Sequence, residues 1–137
     1  QEMLCYGARW RGEKKVQFQS VHHDGKDDML KGLWALLNEA DALVSWNGAG
    51  FDTKHVRTQF LLNGMTPPSP SKEIDLMRVV KSQMKFPSNK LDWVSQQLGI
   101  GKKMPHEGFQ LWLDCMAGDE AAWRKMKRYQ IQDVNLL

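Results

Sequence analysis

The run Ala42-Leu43-Val44-Ser45-Trp46 leads directly into Asn47-Gly48-Ala49-Gly50, and beyond it Phe51, His55, Val56, Gln59, Phe60 and Leu62 recur at helical spacing. A short continuous apolar run bounded by Asp41 and a glycine-rich loop reads as a buried strand of the parallel kind. The pattern is therefore strand, tight loop, helix. Parallel strands need crossover connections, usually helical, so this one segment already points to an α/β chain.

The flanking segments extend that reading. Met3 to Trp10 and Val16 to Val21 are β-prone runs joined by the polar turn Arg11-Gly12-Glu13-Lys14-Lys15, which predicts a β-hairpin. Asp24-Gly25-Lys26-Asp27 supplies turn and N-cap chemistry for a helix over 28–40, where Met29, Leu30, Leu33, Trp34, Leu36 and Leu37 form the apolar face. Pro67-Pro68-Ser69-Pro70 is a stiff connector, and a strand is expected at Glu73 to Leu76. Ser88-Asn89 predicts a cap for a helix from Lys90 to Leu98, closed by Gly99 and Gly101, and a last helix runs from about Asp119 to the chain end. Hairpin, helix, strand, helix, strand, helices describe a mixed sheet with an antiparallel portion.

Composition narrows the class. The 137 residues make one domain, and 42% hydrophobic with 26% charged residues excludes a disordered tail, a collagen-like repeat or a coiled coil. Apolar stretches stay far below the roughly 20 residues of a membrane span, so no membrane role is expected. Cys5 and Cys115 are isolated, which argues against a disulfide framework or a zinc knuckle and makes a reducing cytoplasm the expected location. A net charge of +3 permits a nucleic-acid partner without requiring one. The chain begins at Gln1 inside an apolar segment and stops at Leu136-Leu137 inside a helical pattern, so residues 1–137 are expected to be a single domain truncated at both ends.

Two segments carry candidate chemistry. Asn47-Gly48-Ala49-Gly50-Phe51-Asp52 sets a carboxylate at the end of a strand and the start of a helix, where ligands favour binding in α/β sheets. Its glycines allow close backbone approach, and the helix N-terminus offers free N–H groups. Asp52 is equally well explained as a first-turn acid favoured by the helix dipole. In Tyr129-Gln130-Ile131-Gln132-Asp133, the four-residue interval puts a phenol and a carboxylate on one helix face. Taken in isolation that pair is better explained as an exposed hydrogen-bonded one; it gains meaning with Asp52.

Together these segments resemble motifs II and III of the DEDD superfamily of 3′–5′ exonucleases, in the tyrosine subtype. The chain is similar along most of its length to phage and bacterial predicted exonucleases related to the proofreading domain of family B DNA polymerases. Arg128 stands where the histidine subtype would have histidine. The resemblance implies an RNase H-like α/β fold with a mixed sheet flanked by helices. It implies Asp52 and Asp133 as metal-coordinating carboxylates and Tyr129 as the group that orients the attacking water. Phosphodiester hydrolysis needs a hydroxide nucleophile, charge neutralisation at phosphorus and leaving-group stabilisation, which two cations about 4 Å apart supply together. Hard cations such as Mg²⁺ or Mn²⁺ take oxygen ligands, so carboxylates are the expected cage. Single-stranded DNA or a DNA 3′ end is the implied partner.

One part of the pattern is absent. The family's first motif, D-x-E on the first, central strand, occurs nowhere in the chain, so two of four carboxylates are missing. The expected fold therefore lacks its first, central strand, leaving two interior edges unpaired. Three arrangements answer this: a longer protein that carries the strand upstream, a second chain that supplies it, or direct pairing of the two sheet halves. The alternative function is a noncatalytic nucleic-acid-binding or interaction domain of the same fold. A small-molecule enzyme ranks last, since there is no Walker A motif, G-x-G-x-x-G or nucleophile elbow.

Secondary candidates have ordinary explanations beside functional ones. Asp75 matches a recurrent family position, but a capping or loop-ordering role explains it at least as well. Asn47 braces its loop or meets the bound strand, and Phe51 packs under the site or against a terminal nucleotide. Arg124, Lys125, Lys127 and Arg128 are a solvated helix face or a phosphate contact. Trp46 and Trp112 are candidates for stacking on a base, with core packing the better expectation for Trp34, Trp46, Trp93 and Trp123. His22, His23, His55 and His106 lack a spacing such as H-E-x-x-H, which argues against a zinc enzyme.

Overall fold

The computed structural model describes residues 3–48, 52–102 and 108–137. Phe51 and His106 lie outside the described residues. The order is β1 (Cys5–Ala8), β2 (Gln17–Ser20), α1 (Lys26–Glu39), β3 (Ala42–Ser45), α2 (Asp52–Leu62), β4 (Lys72–Asp75), α3 (Leu76–Gln83), α4 (Leu91–Gln97), α5 (Phe109–Met116) and α6 (Glu120–Asn135). Every element expected from sequence is present. Two short helices, α3 and α5, are additional. Leu76, expected to end a strand, opens α3, because the Asp75 side chain caps that helix by accepting from Met77 N–H at 3.1 Å.

The hairpin pairs antiparallel with Cys5 opposite Ser20 and Ala8 opposite Gln17. Strand alternation then sorts its side chains onto two helical layers. Phe18 and Cys5 pack toward the cluster built from Leu4, Leu111, Cys115, Ala122, Trp123 and Met126, which joins the hairpin to α5 and α6. Tyr6 and Ala8 face the second cluster, where Met29, Leu30 and Leu33 of α1 meet Phe60 of α2. The opposed pair Tyr6 and Gln19 completes this face with a hydrogen bond from the phenol to Gln19 Oε1. Gly32 of α1 lies over that bond: a Cβ there would sit 3.0 Å from the Tyr6 oxygen and closer still to Gln19. Helix and sheet approach this closely because position 32 has no side chain.

Asp24 and Gly25 supply the turn and N-cap chemistry expected before α1, and the helix starts at Lys26, two residues earlier than expected. The N-cap of α1 is Gly25, with no side-chain cap bond; Asp24 instead accepts from the backbone N–H of Ser20 at 2.9 Å, closing the turn after β2. Lys90, not Ser88 or Asn89, is the N-cap of α4, with Ser88 Oγ accepting from Lys90 N–H at 3.3 Å.

The second sheet is β3 paired in parallel with β4, Ala42 opposite Lys72 and Ser45 opposite Asp75. Among the described residues the two sheets stay separate: β1 pairs only with β2, and β3 only with β4. Direct pairing of the two halves is therefore not the arrangement adopted. The expectation that 42–46 forms a buried strand needs correction as well. The strand is parallel, yet Val44 remains 45% exposed, because the free side of β3 borders an open cleft rather than a neighbouring strand.

Candidate active site

The loop between β3 and α2 is shaped by three local constraints. Asn47 adopts a left-handed backbone, φ 61°, which asparagine tolerates better than most residues. Gly48 follows because a Cβ at that position would come within 2.4 Å of Ser45 Oγ. Gly48 then accepts from Thr53 N–H at 2.9 Å, so the chain turns from strand to helix with Asp52 in the first turn.

Asp75 holds this loop from outside. Its carboxylate accepts from Asn47 N–H at 2.7 Å and from Met77 N–H at 3.1 Å, both through Oδ1. The residue is 6% exposed, and Arg78 Nε approaches Oδ2 at 3.7 Å. Both bonds join backbone segments within the protein, so loop ordering and helix capping account for Oδ1, while the buried Oδ2 has no hydrogen-bond partner among the described residues. Asn47 contributes its backbone N–H to this link.

One large cleft, about 1980 Å³, lies between the two sheets. All four residues of β1 and all four of β3 line it, together with Leu33, Leu36 and Leu37 of α1. Asp52 of α2 and Asp133 of α6 both open onto it. Two carboxylates 81 positions apart in sequence are thus brought to one concavity by the packing of α6 against β1. Partial burial raises the Asp52 carboxyl above its ordinary pKa, with the neighbouring His55 pulling in the opposite direction.

Tyr129 lies one turn before Asp133, half-buried, and its ring packs against the α5–α6 cluster. It is not among the residues bordering the cleft. Trp46 does border it, and its indole N–H donates to Asn89 O at 2.9 Å, which fixes the ring in its plane. Trp112 instead stacks on Phe109 at 5.4 Å. In the basic run of α6, Lys127 places its ammonium 5.8 Å from the Phe18 ring centre, so it covers the hairpin. Gln130 and His55 are cleft residues that motif reading passed over. His55 stands three positions after Asp52, a helical neighbour spacing that would have been the signal for it.

Comparison with known proteins identifies the lineage of this arrangement. A family model of the RNase H superfamily matches residues 3–137. The chain belongs to the RNase H superfamily. Among solved structures, this RNase H-like chain is similar to the family B DNA polymerase from the hyperthermophilic archaeon Pyrobaculum calidifontis, with a TM-score of 0.71 at 18% identity over 89% of its length. At that identity the likeness is one of fold. The RNase H-like chain spans 19% of the polymerase chain. No curated protein matches it. No helix among the described residues is long and apolar enough to cross a membrane.

Proposed function

We propose that this RNase H-like domain works as a divalent-metal-dependent 3′–5′ exonuclease of the tyrosine DEDD type, acting on a DNA 3′ end, once a further strand occupies the cleft between β1 and β3. The observation that carries the reading is that Asp52 and Asp133 open onto one cleft bordered by two strands with free edges. The cleft exceeds the about 300–1,000 Å³ of small-molecule pockets, which favours an occupant as large as a strand. Free strand edges recruit strands, because each carries backbone donors and acceptors without ladder partners.

The residues present suit half of a hard-cation site. Asp52 and Asp133 offer carboxylate oxygens, the donor type Mg²⁺ and Mn²⁺ prefer, and partial desolvation of Asp52 is relieved by a nearby positive charge. Bound there, such cations would neutralise phosphate charge and lower the pKa of a coordinated water. Two carboxylates hold Mg²⁺ weakly, so the incoming strand must bring the remaining acids, either from upstream in a longer protein or from a second chain. Tyr129 packs on the α5–α6 cluster and does not border the cleft, so its phenol would orient the nucleophilic water only once the added strand extends the site to that side of α6; Trp46 offers an anchored ring to a terminal base.

The test is degradation of a 5′-labelled single-stranded oligonucleotide with Mn²⁺, using the chain alone and the chain joined to a strand bearing D-x-E. Stepwise 3′ shortening by the joined form, abolished by Asp52→Asn or Asp133→Asn, is the expected result. Near wild-type rates in either variant would rule out the metal assignment. Oligonucleotide binding by a folded joined form without cleavage would favour the noncatalytic binding domain, a reading that the missing D-x-E also suits.

A further inference from the structure

A second side-chain cluster lies where the turn after β2 meets the start of α6. His22 Nε2 is 2.6 Å from Glu120 Oε1, and His23 Nε2 is 3.5 Å from Glu120 Oε2. One donor atom from each of the three residues lies within 4.8 Å of the others. Donors bound to one tetrahedral ion at about 2.0–2.2 Å stand about 3.3–3.6 Å apart, so an ion would require the 2.6 Å contact of His22 with Glu120 to open, while the 3.5 Å separation of His23 from Glu120 already matches.

Both rings are held in place by groups that are not ligands. His23 Nδ1 is 3.0 Å from the hydroxyl of Ser20, which is completely buried and also accepts from His23 N–H at 3.0 Å. In the tautomer that donates Nδ1–H to Ser20 Oγ, Nε2 of His23 carries the lone pair that would face an ion beside Glu120. Orientation of a ligating imidazole through its other nitrogen is the usual support in metal sites. The His22 ring stacks on Trp123 at 5.5 Å with planes 9° apart. Trp123 is itself 1% exposed and donates from Nε1 to Cys115 O at 2.9 Å, so the surface under His22 is rigid.

We propose that His22, His23 and Glu120 bind Zn²⁺ or a dication of similar chemistry, pinning the turn after β2 to the first turn of α6. Two imidazoles and one carboxylate select borderline transition metals, whereas Mg²⁺ and Mn²⁺ prefer oxygen ligands. The site is thus chemically distinct from the Asp52–Asp133 cleft and independent of the function proposed for it. Three protein ligands leave a fourth position for water. The link spans 98 positions of sequence, and it anchors the N-terminus of the helix that carries Tyr129 and Asp133.

The test is titration of the tag-free folded chain with Zn²⁺, followed by calorimetry, by thermal unfolding and by the histidine ring signals in NMR, with Co²⁺ as a spectroscopic substitute. One equivalent should bind saturably and shift the ring signals of His22 and His23. The unfolding midpoint should rise by about 5–10 °C when free Zn²⁺ is about 100-fold above Kd. Glu120→Gln and His23→Gln, at exposed positions, should each weaken binding at least tenfold while far-ultraviolet circular dichroism stays unchanged. Absence of saturable Zn²⁺ binding by the wild-type chain would overturn the proposal. So would binding that leaves the His22 and His23 signals in place or survives both substitutions undiminished.

Discussion

Asp75 accepts the backbone N–H of Asn47 at 2.7 Å, so the last residue of β4 sets the loop that delivers Asp52. The same oxygen caps α3 through Met77 N–H. A buried carboxylate that looked like a site residue thereby acts as a tether between two βα connections, one of which carries a candidate ligand.

Replacing that carboxylate separates shape from charge. Asp75→Ala leaves two backbone donors without their acceptor and should destabilise the chain by about 2–4 kcal/mol, read as a lower urea midpoint with unchanged slope. Asp75→Asn keeps an acceptor at Oδ1 and should cost about 1 kcal/mol. Equal losses in the two variants would show that the charge, not the acceptor geometry, holds the loop.

Tyr129 offers a cleaner test of catalysis than the carboxylates, because its ring packs on the α5–α6 cluster. Tyr129→Phe retains that packing and should shift stability by less than about 1 kcal/mol. In the strand-completed form, the same substitution should lower the cleavage rate about 10²–10⁴-fold if the phenol positions water. An unchanged single-turnover rate would reduce Tyr129 to a core residue.

Gly32 tests the close approach of α1 to the hairpin. Gly32→Ala improves helix propensity by about 1 kcal/mol, but its methyl group collides with Gln19 and the Tyr6 oxygen. Overpacking of this kind costs about 1–3 kcal/mol, which meets or exceeds the propensity gain, so thermal unfolding should shift downward. A stabilised variant would mean that the Gln19 side chain turns away freely.

Alkaline pH should weaken the fold through the buried Tyr6 and the partly buried Cys5. Burial pushes the Cys5 thiol up to about 12, with Cys115 adding to the effect, and pushes the Tyr6 phenol up to about 12, with Asp24 adding. Each group is held neutral in the folded chain but ionises nearer 9 or 10 when unfolded. Their contribution is therefore complete below about pH 9 and is lost as pH rises toward 12. Denaturant midpoints should be flat up to that pH and fall above it. In ultraviolet titration, Tyr6 should ionise only near pH 12.

Much of the architecture was legible because it depends on local periodicity. The run 42–46, the glycines after it, the two-residue alternation of the hairpin and the 3.6-residue spacing of α1 and α6 each specify an element from neighbouring residues alone. The absence of D-x-E likewise anticipated a sheet divided where its central strand would lie, and among the described residues the strands form two separate pairs. Short α3 and α5 escaped notice because a helix of eight residues carries too few repeats to rise above chance; α4, shorter still, was legible from its flanking Ser88-Asn89 and Gly99.

Relations between distant segments needed the tertiary structure. Val44 is apolar and β-branched, so sequence places it inside; only the open cleft beside β3 explains its exposure. That Asp75 ties the loop at Asn47 to the start of α3 at Met77 was visible only in its hydrogen bonds. His22 and His23 match no metal-binding spacing, because their partner Glu120 lies 98 positions from His22 and reaches it only through the packing of α6 on the hairpin. Residue type and spacing determine which elements form, since those depend on short-range sterics and solvation. Which carboxylate shares a cavity with which, and which imidazole meets which acid, depends on how the elements pack, and only that packing puts Asp52 and Asp133 on the border of one cleft.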